Sequence, residues 1–243
     1  MHSMNYEAVA ETIRSGYREV TPQYRRDDEI EVTTRNHAHI SGILRKLCVS
    51  FDRPIRALDV GCGTGRYFHC LTNVQQLLGI DITEEMLRAA EHPVREDEVT
   101  IPEIRLVCAN FYLTEFPPGA FDLIYSLGMF GNGCPVTTAV CNRFHKWLAP
   151  GGKLFFNTVD VAGMPASYRI KRQIRGVAYP FLPPKTKARL DERAARHPFY
   201  GMSRRELASV LKQSQFKNFE VTSNFCESPL WNGRHLECIA SKD

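Results

Sequence analysis

A strand that runs straight into a glycine-rich turn is the feature that most restricts this chain. Ala57-Leu58-Asp59-Val60-Gly61-Cys62-Gly63-Thr64-Gly65-Arg66-Tyr67 passes from an apolar run to three glycines at alternate positions. Such a segment lets a ligand approach the backbone where side chains would collide. Asp81 stands twenty residues after Gly61, at the end of the next apolar run, Leu78-Gly79-Ile80-Asp81. A carboxylate at that place can accept both hydroxyls of a ribose. Together these residues point to an open α/β sheet that holds an adenosine-bearing molecule.

The flanking pattern agrees with such a sheet. Short apolar runs with little alternation, as expected for strands covered on both faces, occur at Ile55–Val60, Gln76–Ile80, Ile104–Ala109, Phe121–Ser126 and Lys153–Thr158. Helices are predicted between them at Arg66–Leu71, Glu84–Glu91 and Thr138–Leu148, and Ala149-Pro150-Gly151-Gly152 forms a tight turn into the fifth strand. Upstream, Asn5–Val20 and Thr34–Cys48 carry helical apolar stripes, separated by a polar stretch from Pro22 to Glu31. Downstream, Ser203-Arg204-Arg205-Glu206 is a capping box that opens a further helix. Phe219–Phe225 and Leu236–Ser241 read as strands, with Trp231-Asn232-Gly233 as the hairpin turn.

Between the fifth strand and the capping box the pattern breaks. Residues Asp160 to Tyr200 hold five prolines and nine basic residues against three acids, and read as an inserted cap. The expected organisation is a helical lid over 1–50 and an α/β domain over 51–243, with 160–200 as a substrate cap. With 243 residues, 43% of them hydrophobic, the chain can bury the core of one such domain. The net charge of +4 is too mild to argue for nucleic acid. Charges interrupt every long apolar run, and the N-terminus lacks an apolar leader, so a cytoplasmic protein without a membrane span is expected. Eight cysteines without a C-x-x-C pair read as reduced, partly buried thiols. The eight histidines lack metal-ligand spacing, so no structural metal is expected.

The loop also discriminates between adenosine cofactors. A dinucleotide fingerprint needs G-x-G-x-x-G, whereas here the spacing is G-x-G-x-G and Arg66 stands where the last glycine would be. Asp59, just before the loop, is unhelpful to a pyrophosphate and suits a cofactor carrying an amino group and a sulfonium. The chain here resembles the class I S-adenosylmethionine-dependent methyltransferases, small-molecule type. The resemblance rests on Leu58 to Gly65, Gly79 to Leu87, Phe121 to Ser126 and Leu148 to Gly152, and covers about Ile55 to Thr158. It implies a Rossmann-like, seven-stranded, mostly parallel sheet with helices on both faces, whose last strand runs antiparallel beside the fifth. It also implies S-adenosylmethionine as cofactor, with Asp59, Gly61 and Gly63 at its methionine end and Asp81 at its ribose.

Cys62, Gly65, Ile82, Asn110, Phe111 and Ser126 complete the expected cofactor set. Asn110 stands where similar enzymes often place an acid near adenine, and its carbonyl can accept from the adenine amino group. A turn asparagine closing a strand is the plain alternative. The acceptor is expected beyond the carboxyl ends of the strands, at Met129, Phe130 and Asn132 after the fourth and Asp160 after the fifth, with Arg169 and Arg172 from the cap. A base is needed only if a hydroxyl is methylated, and Tyr17, Tyr24, His37 and His39 are the candidates. The leading expectation is methyl transfer to a small molecule, acidic or phosphorylated. An RNA methyltransferase and a non-catalytic S-adenosylmethionine-binding protein are the alternatives.

Overall fold

The computed structural model describes residues 6–131, 133–187, 190, 199–228 and 232–243; at 6–10, 12–13, 15–19 and 175–176 it describes the backbone alone. A seven-stranded sheet forms the centre. Its strands are β1 (Ile55–Val60), β2 (Val74–Asp81), β3 (Glu103–Cys108), β4 (Phe121–Ser126), β5 (Leu148–Val159), β6 (Asn218–Glu227) and β7 (Asn232–Ser241). Their order across the sheet is β3-β2-β1-β4-β5-β7-β6. The first five are parallel, and β7 runs antiparallel to both β5 and β6. The seven-stranded, mostly parallel sheet is therefore as the resemblance implied. The order reverses between β1 and β4, which opens a crevice at their carboxyl ends.

Alternate residues of the central strands feed two cores. Leu58, Val60, Ile124, Leu154 and Phe156 point into one, with α4 (Thr138–Trp147) and α6 (Arg204–Lys212) covering it. Ile55, Ala57, Leu123, Tyr125 and Phe155 point into the other, covered by α2 (Arg35–Val49) and α3 (Glu84–Ala90). Helix α2 buries Ile40, Leu44 and Leu47 there. At about 1.5–3 kcal/mol for each such side chain, this helix is a fixed layer of the core. Helix α1 (Tyr6–Glu31) reaches the crevice, and so does Asn36 at the start of α2. The segment after β5 supplies α5 (Ala166–Ala178).

Four elements differ from the sequence reading, one of them the turn expected at Ala149–Gly152, which lies inside β5 (Leu148–Val159). Helix α1 does not stop at Val20 but continues through Pro22 to Glu31. Contacts one turn apart, Gln23 with Asp27 and Arg25 with Glu29, support this polar continuation, and Asp28 and Glu31 are buried beneath it. The helix expected over Arg66–Leu71 is only a 3-10 turn, Phe68–Cys70. Asn232 and Gly233 lie in β7 opposite Glu227 and Cys226, not in the hairpin turn. Trp231, Asn132 and the cap residues Arg189, Asp191, Glu192, Arg193 and Arg196 lie outside the described residues. The Ser203–Glu206 capping box is formed. All eight cysteines are free thiols, and only Cys108 is exposed. Among the described residues, no helix is long and apolar enough to cross a membrane.

Candidate active site

The glycine loop takes its shape from hydrogen bonds to β2. Gly61 N–H and Cys62 N–H both donate to the Ile80 carbonyl, at 2.8 and 3.0 Å. Gly61 has φ of +74°, and a Cβ there would sit 3.0 Å from Met129 Sδ, so the position needs glycine twice over. Asp81 ends β2 with its carboxylate fixed by two backbone donors, Gly63 N–H at 3.0 Å and Thr83 N–H at 2.9 Å. Burial raises the Asp81 pKa, and those same N–H groups offset part of the rise.

The loop is braced from outside by α1. Asp28, fully buried, accepts hydrogen bonds from the Thr64 hydroxyl and the Arg66 guanidinium. Arg66, which holds the place of a third glycine, thereby pins the N-terminal helix to the loop. This brace explains why a single 3-10 turn suffices where a helix was expected: the loop is held by α1, and Phe68 fills the space under Gly65.

Around the loop lies a cavity of about 480 Å³. One end is lined by Asp59, Gly61, Cys62, Gly63, Asp81 and Ile82, with Asn110, Phe111 and Tyr112 from the β3 side. The other end is lined by Tyr24, Asp27 and Glu31 of α1, Met129 after β4, Asn157 of β5, and Cys226, Ser228 and His235 from β6, β7 and their connection. Asp59 is 4% exposed. Burial, with Asp81 adding like charge, pushes its carboxyl up to about 8, although the Tyr125 hydroxyl offsets part of this. A cation beside this carboxyl would lower its pKa again.

At the far end, Glu31 accepts hydrogen bonds from the Ser228 hydroxyl and from Asn36 Nδ2, the latter at 3.3 Å. His235 sits beside Val159 at the carboxyl end of β5. Burial lowers its pKa to about 4, with Glu31 opposing, so its imidazole is neutral at physiological pH. Asn157 is oriented by accepting from Gly128 N–H at 2.7 Å.

The structure thus gathers Asp59, Gly61, Cys62, Gly63, Asp81, Ile82, Asn110, Phe111, Met129 and Tyr24 around one space. Asn110 Oδ1 already accepts Tyr112 N–H at 3.0 Å, closing a turn. Other sequence candidates lie elsewhere. Gly65 packs on Phe68, and the Ser126 hydroxyl donates to the Val60 carbonyl inside the core. Phe130 belongs to an aromatic cluster with Phe111, Phe144 and Phe156. Asp160 accepts from Ala162 N–H and the Ser223 hydroxyl, closing its own turn. Arg172 pairs with Glu206, and Arg169 is exposed on α5. His37 is buried against Tyr67 and His69, while His39 pairs with Glu237. The Tyr17 side chain and Asn132 are outside the described residues.

Sequence reasoning missed Glu31, Asn157, Ser228 and His235. A signal for His235 existed. The first residues of an antiparallel last strand lie beside the carboxyl end of the parallel strand it joins, and that is where ligands sit.

Comparison with known proteins agrees with this geometry. Residues 57–152 match the family model described as a methyltransferase domain. The ubiquinone biosynthesis O-methyltransferase of Methylococcus capsulatus is 34% identical over 108 residues, covering 43% of this chain and 44% of that protein. The enzyme of the same name from Xanthomonas oryzae pv. oryzae is 27% identical over 180 residues, covering 74% and 69%. In the first two such relatives the matched stretch spans under half their length, 44% and 48%. Among solved structures, Haemonchus contortus phosphoethanolamine N-methyltransferase 2, complexed with phosphomonomethylethanolamine and S-adenosylhomocysteine, superposes with TM-score 0.60 at 16% identity. That match covers 84% of this chain and 52% of that one. A Thermotoga maritima S-adenosylmethionine-dependent methyltransferase, a possible histamine N-methyltransferase, gives 0.56 at 14% identity, covering 93% and 98%. Residues 57–152, which hold the glycine loop and Asp81, match the methyltransferase-domain model, and the fold is shared with solved S-adenosylmethionine-dependent methyltransferases: over that segment the chain is similar to the class I S-adenosylmethionine-dependent methyltransferases.

Proposed function

We propose that this protein transfers the methyl group of S-adenosylmethionine to a hydroxyl of a small, uncharged molecule bound between α1 and β7. The observation that carries the reading is the single cavity in which the Asp59–Asp81 end meets a polar wall holding a neutral imidazole. The residues fit the cofactor on the chemistry of their donors. Asp81 has both oxygens held by backbone N–H groups, which leaves its outer lone pairs for ribose hydroxyls. Asp59 offers a buried carboxylate to a cationic methionine end. When bound, S-adenosylmethionine supplies an electrophilic methyl carbon on a sulfonium.

The chain's own contribution is position, exclusion of water and one proton transfer. Met129, against Gly61, adds an apolar surface to the cavity wall. His235 would accept the hydroxyl proton as the oxygen attacks, and Glu31 would stabilise the imidazolium that forms.

The cavity lining argues against the acidic or phosphorylated acceptor read from the cap. Asp27, Glu31, Asp59 and Asp81 line the space, and its one arginine, Arg66, is taken by Asp28. The same acidity disfavours a phosphate-bearing RNA. It does favour a second reading, methylation of an amine, whose cation Glu31 and Asp27 would attract. Methyl-labelled S-adenosylmethionine incubated with the protein and fractionated cell extract tests both. Label should enter hydroxylated small molecules as ethers. Label in amines would select the second reading, and label confined to RNA or protein would overturn the proposal.

A further inference from the structure

Behind the glycine loop, His37 of α2 and His69 and Cys70 of the following 3-10 turn bring three metal-ligating atoms together inside the protein. His37 and His69 are 3% and 5% exposed, and Cys70 is fully buried. Nε2 of His37 lies 3.2 Å from Nε2 of His69. Cys70 Sγ lies 3.3 Å from His69 Nε2 and 3.9 Å from His37 Nε2. A tetrahedral zinc ion, with bonds of about 2.05 Å to nitrogen and about 2.3 Å to sulfur, spaces its ligand atoms by about 3.3 Å (N to N) and about 3.5 Å (N to S). The observed triangle has these edges to within a few tenths of an ångström.

We propose that His37, His69 and Cys70 form a binding site for a zinc-class divalent cation, separate from the methyl-transfer cavity. Two imidazole nitrogens and a sulfur lie within 3.9 Å of one another, close enough for one ion to touch all three. Soft sulfur with two imidazoles selects zinc over magnesium or calcium. Binding would displace one proton from the Cys70 thiol to solvent and form one Zn–S and two Zn–N bonds. The thiol now donates to Ser41 Oγ at 3.0 Å; once it is a thiolate, the Ser41 hydroxyl can donate back to it. The fourth position is left to water.

Two features set the strength of the site. Arg45, Arg66 and Arg95 lie near the histidine pair with Glu98 opposing them, and their charge repels a dication. Neither Nδ1 atom has a hydrogen-bond partner among the described residues. Sites without that outer support bind about 10–100-fold more weakly, so the ion should exchange with solution. It would tie α2 to the segment after the glycine loop. Tyr67, stacked on His37 with ring centres 5.0 Å apart, carries that constraint to the cavity wall.

Titration of the chelator-treated full-length protein with Co²⁺ tests the site. One ion per chain should bind, with a thiolate-to-cobalt charge-transfer band, and Zn²⁺ should abolish that band. Cys70→Ser should lose the band, and the exposed-site control Cys108→Ser should keep it. His69→Gln should weaken binding about tenfold or more. X-ray absorption of the Zn²⁺-loaded wild type needs no variant and should show one sulfur neighbour with nitrogen neighbours. A wild-type protein without the charge-transfer band, a band that survives Cys70→Ser, or a zinc shell without sulfur would overturn the proposal.

Discussion

Asp81, at the end of β2, accepts a hydrogen bond from the backbone N–H of Gly63 at 3.0 Å, and so couples the acid to the glycine loop it serves. Its other oxygen accepts from Thr83 N–H, so the carboxylate cannot rotate without breaking one of the two bonds. Asp81→Asn would place an amide N–H against one of these donors. It should weaken S-adenosylmethionine binding by about 1.5–3 kcal/mol, roughly ten- to hundredfold in Kd by calorimetry, while the fold survives.

Asp59 makes binding depend on pH. Without a cation its carboxyl keeps a proton up to about 8, well above its ordinary 3.8, chiefly because it is buried. The folded form then holds a proton that the unfolded chain has lost, so this group destabilises the unliganded protein as pH rises across that window. A bound cation lowers the pKa again, so binding at neutral pH should release a proton. Affinity should rise with pH towards about 8 and then level off. Calorimetry in buffers of different ionisation enthalpy reads the proton directly, and Asp59→Asn should abolish both the release and the slope.

Most of the sheet is legible in the sequence because strands covered on both faces write themselves as short, predominantly apolar runs with little alternation. Ile55–Val60 and Phe121–Ser126 are such runs, and both strands occupy those bounds. The loop and Asp81 are equally legible, because glycine at positive φ and an acid at a strand end are local requirements. The polar half of α1 is not. Pro22 and the charges after it break the local helix signal, and Asp28 and Glu31 are buried only because the glycine loop and Ser228 receive them. His235 and Asn157 join the cavity through strand order, which no local pattern encodes. The His37–His69–Cys70 cluster depends on α2 packing over a turn 32 residues later in the chain, so spacing rules for metal ligands pass over it.

The Asp28 brace should carry stability as well as shape. Asp28→Ala leaves the Arg66 guanidinium and Thr64 hydroxyl without their shared acceptor. Urea unfolding should show a loss of about 1.5–3 kcal/mol. Cofactor affinity should fall with it, because Thr64 borders the loop. A change within error in both would remove α1 as the support of the loop.

His235 is assigned to the acceptor, not the cofactor. His235→Ala should lower kcat by about 10²–10⁴-fold and leave S-adenosylmethionine affinity unchanged. Because burial lowers the imidazole pKa to about 4, its neutral form persists through mildly acidic pH. The histidine should therefore add no acid limb to the wild-type rate profile near 6.5. A limb at that ordinary histidine value, or an unchanged kcat in the variant, would take the base away from His235.

The account rests on one cavity serving donor and acceptor together. A crystal structure determined with S-adenosylhomocysteine tests it most directly. The ribose hydroxyls should sit on Asp81, the amino group near Asp59, and the sulfur should face Met129 and the wall formed by Glu31 and His235. An adenosine bound elsewhere, or a sulfur turned away from that wall, would contradict it.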